Sequence, residues 1–352
     1  RRTRVIFNIA FLGKKLQFAT ELSNRITEKM KRINSTVLIL VAALGALSGC
    51  IERELPVPVR TPNQVNLVEA NVGSDYESQL FFSLKNNRVE ASCKQRDWCI
   101  ALREASGTSQ LMLNSGRAMK TRHTGINEFN TPIDPNSVDW EIMEPSGINL
   151  HDSSSLQLQL NELVLVDLGL DEDNESLGTL RLSLIGFDDE SWLLRVADLE
   201  GTNSDTITVQ QIDGYEWHQV SLIDRMQRQI EPPAEAWELC ITQYMELLDG
   251  EIPYLVVGIL TPTQRVRVFE TDEVDWDTWK TNSWDELVFS SSWNAIGYDW
   301  KIFDLSTSSY SVDFDKLYCI RTEEGREFMM RMLDFYDANG NTGNVTFEVL
   351  ER

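Results

Sequence analysis

The sequence predicts an all-β chain: two tandem antiparallel β-sandwich-like domains with few short helices, set behind a signal peptide and a tether. Three observations point there. First, short runs alternate apolar and polar side chains, or are β-branched and aromatic, at residues 79–84, 98–102, 110–113, 180–185, 192–197 and 206–210. Runs of that length and texture suit pleated strands with a buried face. Second, polar turn residues separate them, as in Lys85-Asn86-Asn87 and Asp188-Asp189-Glu190. Few stretches hold a 3.6-residue apolar period; residues 226–229 and 284–289 offer a single helical turn each. Third, a set of landmarks occurs twice in one order.

The repeat starts at Phe81-Phe82-Ser83-Leu84 and again at Trp217-His218-Gln219-Val220-Ser221-Leu222. A Trp-led apolar run follows each, from Trp98 and from Trp237. Another apolar run comes next, at residues 111–114 and 255–260. Asp139-Trp140 and Asp299-Trp300 then each open a further strand. This recurrence predicts homologous domains at residues 63–211 and 212–352.

Composition agrees. A chain of 352 residues is long enough for two cores. The formal net charge of −23 works against nucleic acid and anionic lipid, both of which need clustered Lys and Arg. Three His and five Cys are too few for a His-rich metal cage, and no Cys-x-x-Cys pair occurs.

The first sixty residues read as an address. Lys31 and Arg32 precede an apolar run at residues 37–47, too short to span a bilayer. Leu47-Ser48-Gly49-Cys50 follows and resembles a bacterial lipobox, in which cleavage precedes the Cys and its thiol is acylated. Residues 30–49 are therefore expected to be a lipoprotein signal peptide and Cys50 the lipidated residue. Residues 1–29, upstream of Met30, read as an extension that is not translated. Residues 50–62 hold three Pro and form a tether. Ile51 and Glu52 show no retention Asp, which by resemblance to other lipoproteins favours the outer membrane. Cys93, Cys99, Cys240 and Cys319 remain in an exported chain that permits disulfides. Cys93 and Cys99 are placed to pair across a tight hairpin; the alternative is four buried thiols.

The second half resembles the HmuY-like family of haem-binding bacterial lipoproteins, in its longer tandem form. The carrying residues are Trp237-Glu238-Leu239-Cys240-Ile241-Thr242-Gln243-Tyr244 and Pro253-Tyr254-Leu255-Val256-Val257-Gly258-Ile259-Leu260. Ala295-Ile296-Gly297-Tyr298-Asp299-Trp300, Leu317-Tyr318-Cys319-Ile320-Arg321, and Leu333-Asp334-Phe335-Tyr336-Asp337 continue the string in order. The resemblance implies an all-β haem carrier with two axial ligands, usually His or Met. In the second half the matching positions, near Asp304 and Leu305 and within 261–300, offer neither.

The first half offers more. Met119 and His123 lie in one family ligand region, Met143 and His151 in the other, and these four are the haem-ligand candidates. Arg117, Lys120 and Arg122 beside His123 would offset the haem propionates. His218 and Met245 are weaker candidates; His218 alternates with Trp217 along a strand, so one of the two should face solvent. No metal beyond haem iron is expected. Residues 337–343 carry side-chain oxygens in a calcium-loop manner but read as a polar turn.

No Gly-x-Ser-x-Gly, phosphate loop or dinucleotide glycine pattern occurs, so no enzyme is expected. Two functions remain. One is a membrane-anchored haem- or porphyrin-binding lipoprotein, with haem or another small ligand and an outer-membrane receptor as partners. The other is a non-haem acidic β lipoprotein that binds a protein or glycan at the cell envelope.

Overall fold

The computed structural model describes residues 64–145, 155–173, 175–188, 190–248, 252–272 and 276–352. The expected signal peptide, Cys50, the tether and His151 lie outside these. The first half supplies β1 (Asn66–Asn71), β2 (Ser78–Ser83), β3 (Arg88–Lys94), β4 (Ile100–Ala105), β5 (Thr108–Leu113) and β6 (Lys120–His123). It continues with β7 (Glu141–Ile142), β8 (Gln157–Leu158), β9 (Val164–Asp167), β10 (Thr179–Phe187) and β11 (Ser191–Asp198). Next come β12 (Asp205–Gln210), β13 (His218–Ser221), β14 (Met226–Arg228), β15 (Leu239–Leu248), β16 (Ile252–Leu260) and β17 (Val266–Thr271). A helical turn α1 (Trp276–Thr281), then β18 (Lys301–Asp304), β19 (Ser309–Val312), β20 (Leu317–Thr322), β21 (Glu327–Tyr336) and β22 (Thr342–Glu351) complete the chain.

The fold is all-β, and the named strands pair antiparallel. Four sheets stack in two sandwiches. Sheet I has the order β12-β11-β10-β9-β6-β7 and sheet II the order β14-β13-β4-β5-β8. One apolar core joins them, with Ile100, Leu111, Val166, Leu182, Trp192 and Val220 fully buried in it. Sheet III is β16-β15-β2-β3 and sheet IV is β1-β22-β21-β20-β17. Phe82, Ile241, Ile259, Ile320, Met330 and Phe347 fill the core between those two. Period-two alternation produces both cores: Ile100 and Leu102 point into one while Ala101 between them points out.

The turns recur in the same order in the two halves. Asn87 and Arg225 follow Ser83-Leu84 and Ser221-Leu222 at equal spacing, with φ of +52° and +56°. Short 3-10 turns at Gln95–Asp97 and Ala234–Ala236 precede Trp98 and Trp237. Strands β1–β6 correspond in order to β12–β17, and β9, β10 and β11 to β20, β21 and β22.

The division at 211/212 needs correction. The hairpin β2–β3 pairs with β15 of the second repeat, through Leu80↔Ile241 and Phe82↔Leu239. The hairpin β13–β14 pairs with β4 of the first, through Val220↔Ile100. Likewise β1 lies on β22 and β12 on β11. Each repeat gives its first three strands to the lobe built from the other repeat's later strands. One lobe is therefore contiguous, spanning β4 to β14. The other is closed by the two ends of the described chain. A cut at 211/212 would pass through both.

Hydrogen bonds fix the last hairpin. The Asp337 carboxylate accepts the N–H groups of Asn339 and Asn341, both at 2.8 Å, and Gly340 turns at φ +84°. This is the polar turn expected from the sequence.

Candidate functional site

His123 ends β6 and faces Glu162. Its Nδ1 lies 2.9 Å from Glu162 Oε2, while Oε1 accepts the Gly125 N–H at 2.9 Å. Donation of Nδ1–H to a carboxylate leaves the lone pair on Nε2, the arrangement of metal-ligating imidazoles. His123 Nε2 is buried and has no hydrogen-bond partner among the described residues.

The surroundings do not complete a haem site. Met119 and Met143 stand one residue beyond the Lys120↔Ile142 pair, so the structure does bring them together. Both side chains are buried in the core between sheets I and II, where a thioether fills space. The cations also turn elsewhere. His123 pairs with Val164, which faces that core, whereas Arg122 pairs with Leu165 on the opposite face. Lys120 shares Arg122's face by alternation, and Arg122 is held by Glu141 at 3.2 Å. Arg117 is buried, with Nη1 3.8 Å from Cys99 Sγ. His123 has an imidazole nitrogen of the kind that would hold iron. Met119 and Met143 line the same core face as His123 but are packed into it, and Lys120 and Arg122 lie on the opposite face.

The weaker candidates are built into the fold. His218 Nε2 accepts the Ile212 N–H at 2.7 Å, and Nδ1 lies 3.4 Å from the Leu102 carbonyl. Its ring packs 5.5 Å from Trp192. Burial holds its pKa below the usual imidazole value, and both nitrogens are engaged. Trp217 is buried as well as His218, because sheet II is covered on both faces; neither faces solvent. Met245 is buried on β15, opposite Leu255. Cys93 and Cys99 are both free thiols. Cys93 sits on β3 with its Sγ donating to Gln79 Oε1 at 3.5 Å, whereas Cys99 belongs to the core of the other lobe. Burial pushes the Cys93 thiol well up.

Sequence reading missed three features. The first is Lys301, buried at the root of β18. Its ammonium lies 4.5 Å from the Trp300 ring and 4.9 Å from that of Phe335, and donates to the carbonyls of Val257 and Tyr298. Burial pulls its pKa down to about 7. The second is the layer between the lobes, where the outer faces of sheets II and III meet. Trp98, Trp217 and Trp237, the landmarks of the repeat, all lie there. Arg103 lies 4.3 Å over the Trp217 ring and Arg265 lies 5.0 Å over that of Trp237, and Glu216 holds both guanidinium groups, at 2.5 and 3.5 Å. Glu231 sits in the same layer, accepting from Gln219 Nε2 at 3.3 Å. Burial, then the neighbouring Glu216, pushes its pKa up to about 8. The lobes approach so closely that a Cβ at Gly116 would lie 2.5 Å from the Gln243 carbonyl oxygen.

The third is a cleft of about 820 Å³ beside that contact. Asp75, Glu77, Asp97, Asp171, Glu172 and Asp224 line it, against Arg96 and Arg117. Arg96 is clasped by Glu77 at 2.7 Å and by Glu172 from the other lobe. The available signal was the Trp-led recurrence; nothing in the spacing of Gln219 and Glu231 marked them.

Two interlocked sandwiches leave a cleft of ligand size between their lobes. The chain belongs to the HmuY family: the family model described as HmuY protein matches residues 75–349, across both lobes. Among solved structures, apo PinO from Porphyromonas gingivitis is 11% identical, with 82% of this chain and 97% of that one covered at a TM-score of 0.34. A Bacteroides vulgatus protein described as HmuY-like and heme-binding is 12% identical over 47% of this chain and 96% of its own, at 0.25. The apo HmuY analog from Tannerella forsythia is 9% identical over 82% and 97%, at 0.19. No protein of curated function matches the chain.

Proposed function

We propose that the protein is a haem- or porphyrin-binding lipoprotein, held to the outer membrane of a bacterial cell through acyl chains on Cys50, where a receptor takes its ligand. Membership of the HmuY family and the lipobox-like Leu47-Ser48-Gly49-Cys50 support this reading. One observation carries it: His123 Nε2 is unpaired while Glu162 holds Nδ1. Haem, when bound, would supply an iron that takes up a nitrogen lone pair. His123 would donate that pair, with Glu162 setting the tautomer and the ring orientation.

The test is a haemin titration of the full chain in detergent, read at the Soret band. Wild type should saturate at one haem per chain. His123→Ala should lose the band shift, and Glu162→Gln should weaken binding by about 10- to 100-fold. An unchanged titration in His123→Ala would overturn the assignment. A second reading, a non-haem acidic β lipoprotein with a protein or glycan partner, is favoured by the buried Met119 and Met143 and by cations that face away from His123. Wild type that gives no Soret shift would select it.

A further inference from the structure

The layer between the lobes holds a chamber of about 30 Å³, walled by Phe81, Trp98, Trp237 and Trp293. Three polar atoms of its lining have no partner among the described residues: Gln219 Oε1, Glu231 Oε1 and Trp237 Nε1. Their side chains belong to residues only 2%, 3% and 1% exposed. Buried polar atoms are almost always paired, so such a group points to water, an ion or a ligand. Two of the three accept and one donates. Of the nearby cations, Arg103 is held by Glu216 at 2.5 Å, while Arg265, 3.5 Å from Glu216, keeps Nη2 without a partner among the described residues. Chamber and acidic cleft adjoin, sharing Gln95, Gly116 and Gln243 in their walls.

We propose that this chamber takes the ammonium head of an aliphatic diamine or polyamine, with Glu231 and Gln219 as acceptors, while the acidic cleft takes the rest of the cation. Aromatic faces attract a cation through their quadrupoles, and a carboxylate at the bottom fixes it. Further ammonium groups then meet the carboxylates of the cleft, whose field also steers cations toward the opening. An anionic ligand would face that field with the wrong sign. The site shares no residue with His123, so it stands or falls independently of the haem reading.

Isothermal titration of the full chain in detergent with spermidine tests this. One saturable site per chain is expected. Binding near neutral pH should release close to one proton, because free Glu231 is protonated and ionises when the ammonium arrives. The release is read from the heat in buffers of different ionisation enthalpy. Glu231→Gln, which keeps the shape, should weaken binding at least tenfold and abolish the proton release. Gln219→Met, which keeps the length and removes the acceptor, should weaken binding in the same direction. Asp337→Asn, in an exposed turn, should change neither quantity. Equal binding by wild type and both chamber variants would overturn the proposal. So would heat spread over many weak sites that moderate salt removes, or no heat at all. The haemin titration should be unaffected by Glu231→Gln.

Discussion

The two lobes have the same strand order and opposite chain histories. The lobe of sheets I and II is contiguous, from β4 to β14, so the chain between its first and last strands stays inside it. The lobe of sheets III and IV closes only when β1 meets β22 and β2 meets β15. Its strand partners Val68 and Phe347 are almost the whole described chain apart. Closure over such separations is slow and costly in loop entropy. One repeat can thus produce a lobe able to fold locally and a lobe that waits for both ends.

The largest expected effect follows from that contrast. Residues 98–229 alone should melt cooperatively, since they hold every strand of sheets I and II. Residues 212–352 alone should not, since they lack β1, β2 and β3. Thermal melts followed by circular dichroism decide it; a cooperative transition in the second fragment would break the comparison.

Core truncations come next. Trp192→Ala in the contiguous lobe and Phe347→Ala in the composite lobe each empty a fully buried site. Each should cost about 3–5 kcal/mol in denaturant melts. If the lobes unfold as one unit, both variants shift a single transition. Two separated transitions would show that the layer between them does not couple them.

The smallest effects separate by pH, with opposite signs. Glu231 titrates near 8 when folded and near 4.5 when exposed, so the folded state binds more protons between those values. Its contribution falls as pH rises from about 4.5 to 8 and stays at its lowest above that. Lys301 titrates near 7 when folded and 10.5 when exposed, so the unfolded state binds more protons in that window. Its contribution rises from about pH 7 to 10.5, with the full cost in force below 7. Glu231→Gln should therefore stabilise most above pH 8, and Lys301→Met most below pH 7, each on the order of a few kcal/mol or less. Stability curves against pH that keep their slopes in the variants would contradict these assignments.

Much of this was legible without coordinates. Alternation at residues 98–102 and 110–113 identified strands, and polar clusters such as Asn86-Asn87 identified turns. The landmark order around Trp98 and Trp237 revealed the repeat, and its family was readable from the residues after Trp237. The candidate site was legible only at His123, whose partner Glu162 is 39 residues away and carries no spacing signal.

What the chain determined by itself was local: which residues form strands, where they turn, and that the series occurs twice. Period two says that alternate side chains face opposite ways, but not which neighbour covers each face. Only the tertiary structure decided that β2 pairs with β15 and β4 with β13, because strand pairing is a contest among distant segments of equal texture. That exchange put the leading Trp residues between the lobes instead of at solvent, and left one carboxylate oxygen of Glu231 unpaired among them. It also placed Met119 and Met143 in a closed core and His123 Nε2 without a partner, since a donor's availability depends on what packs over it.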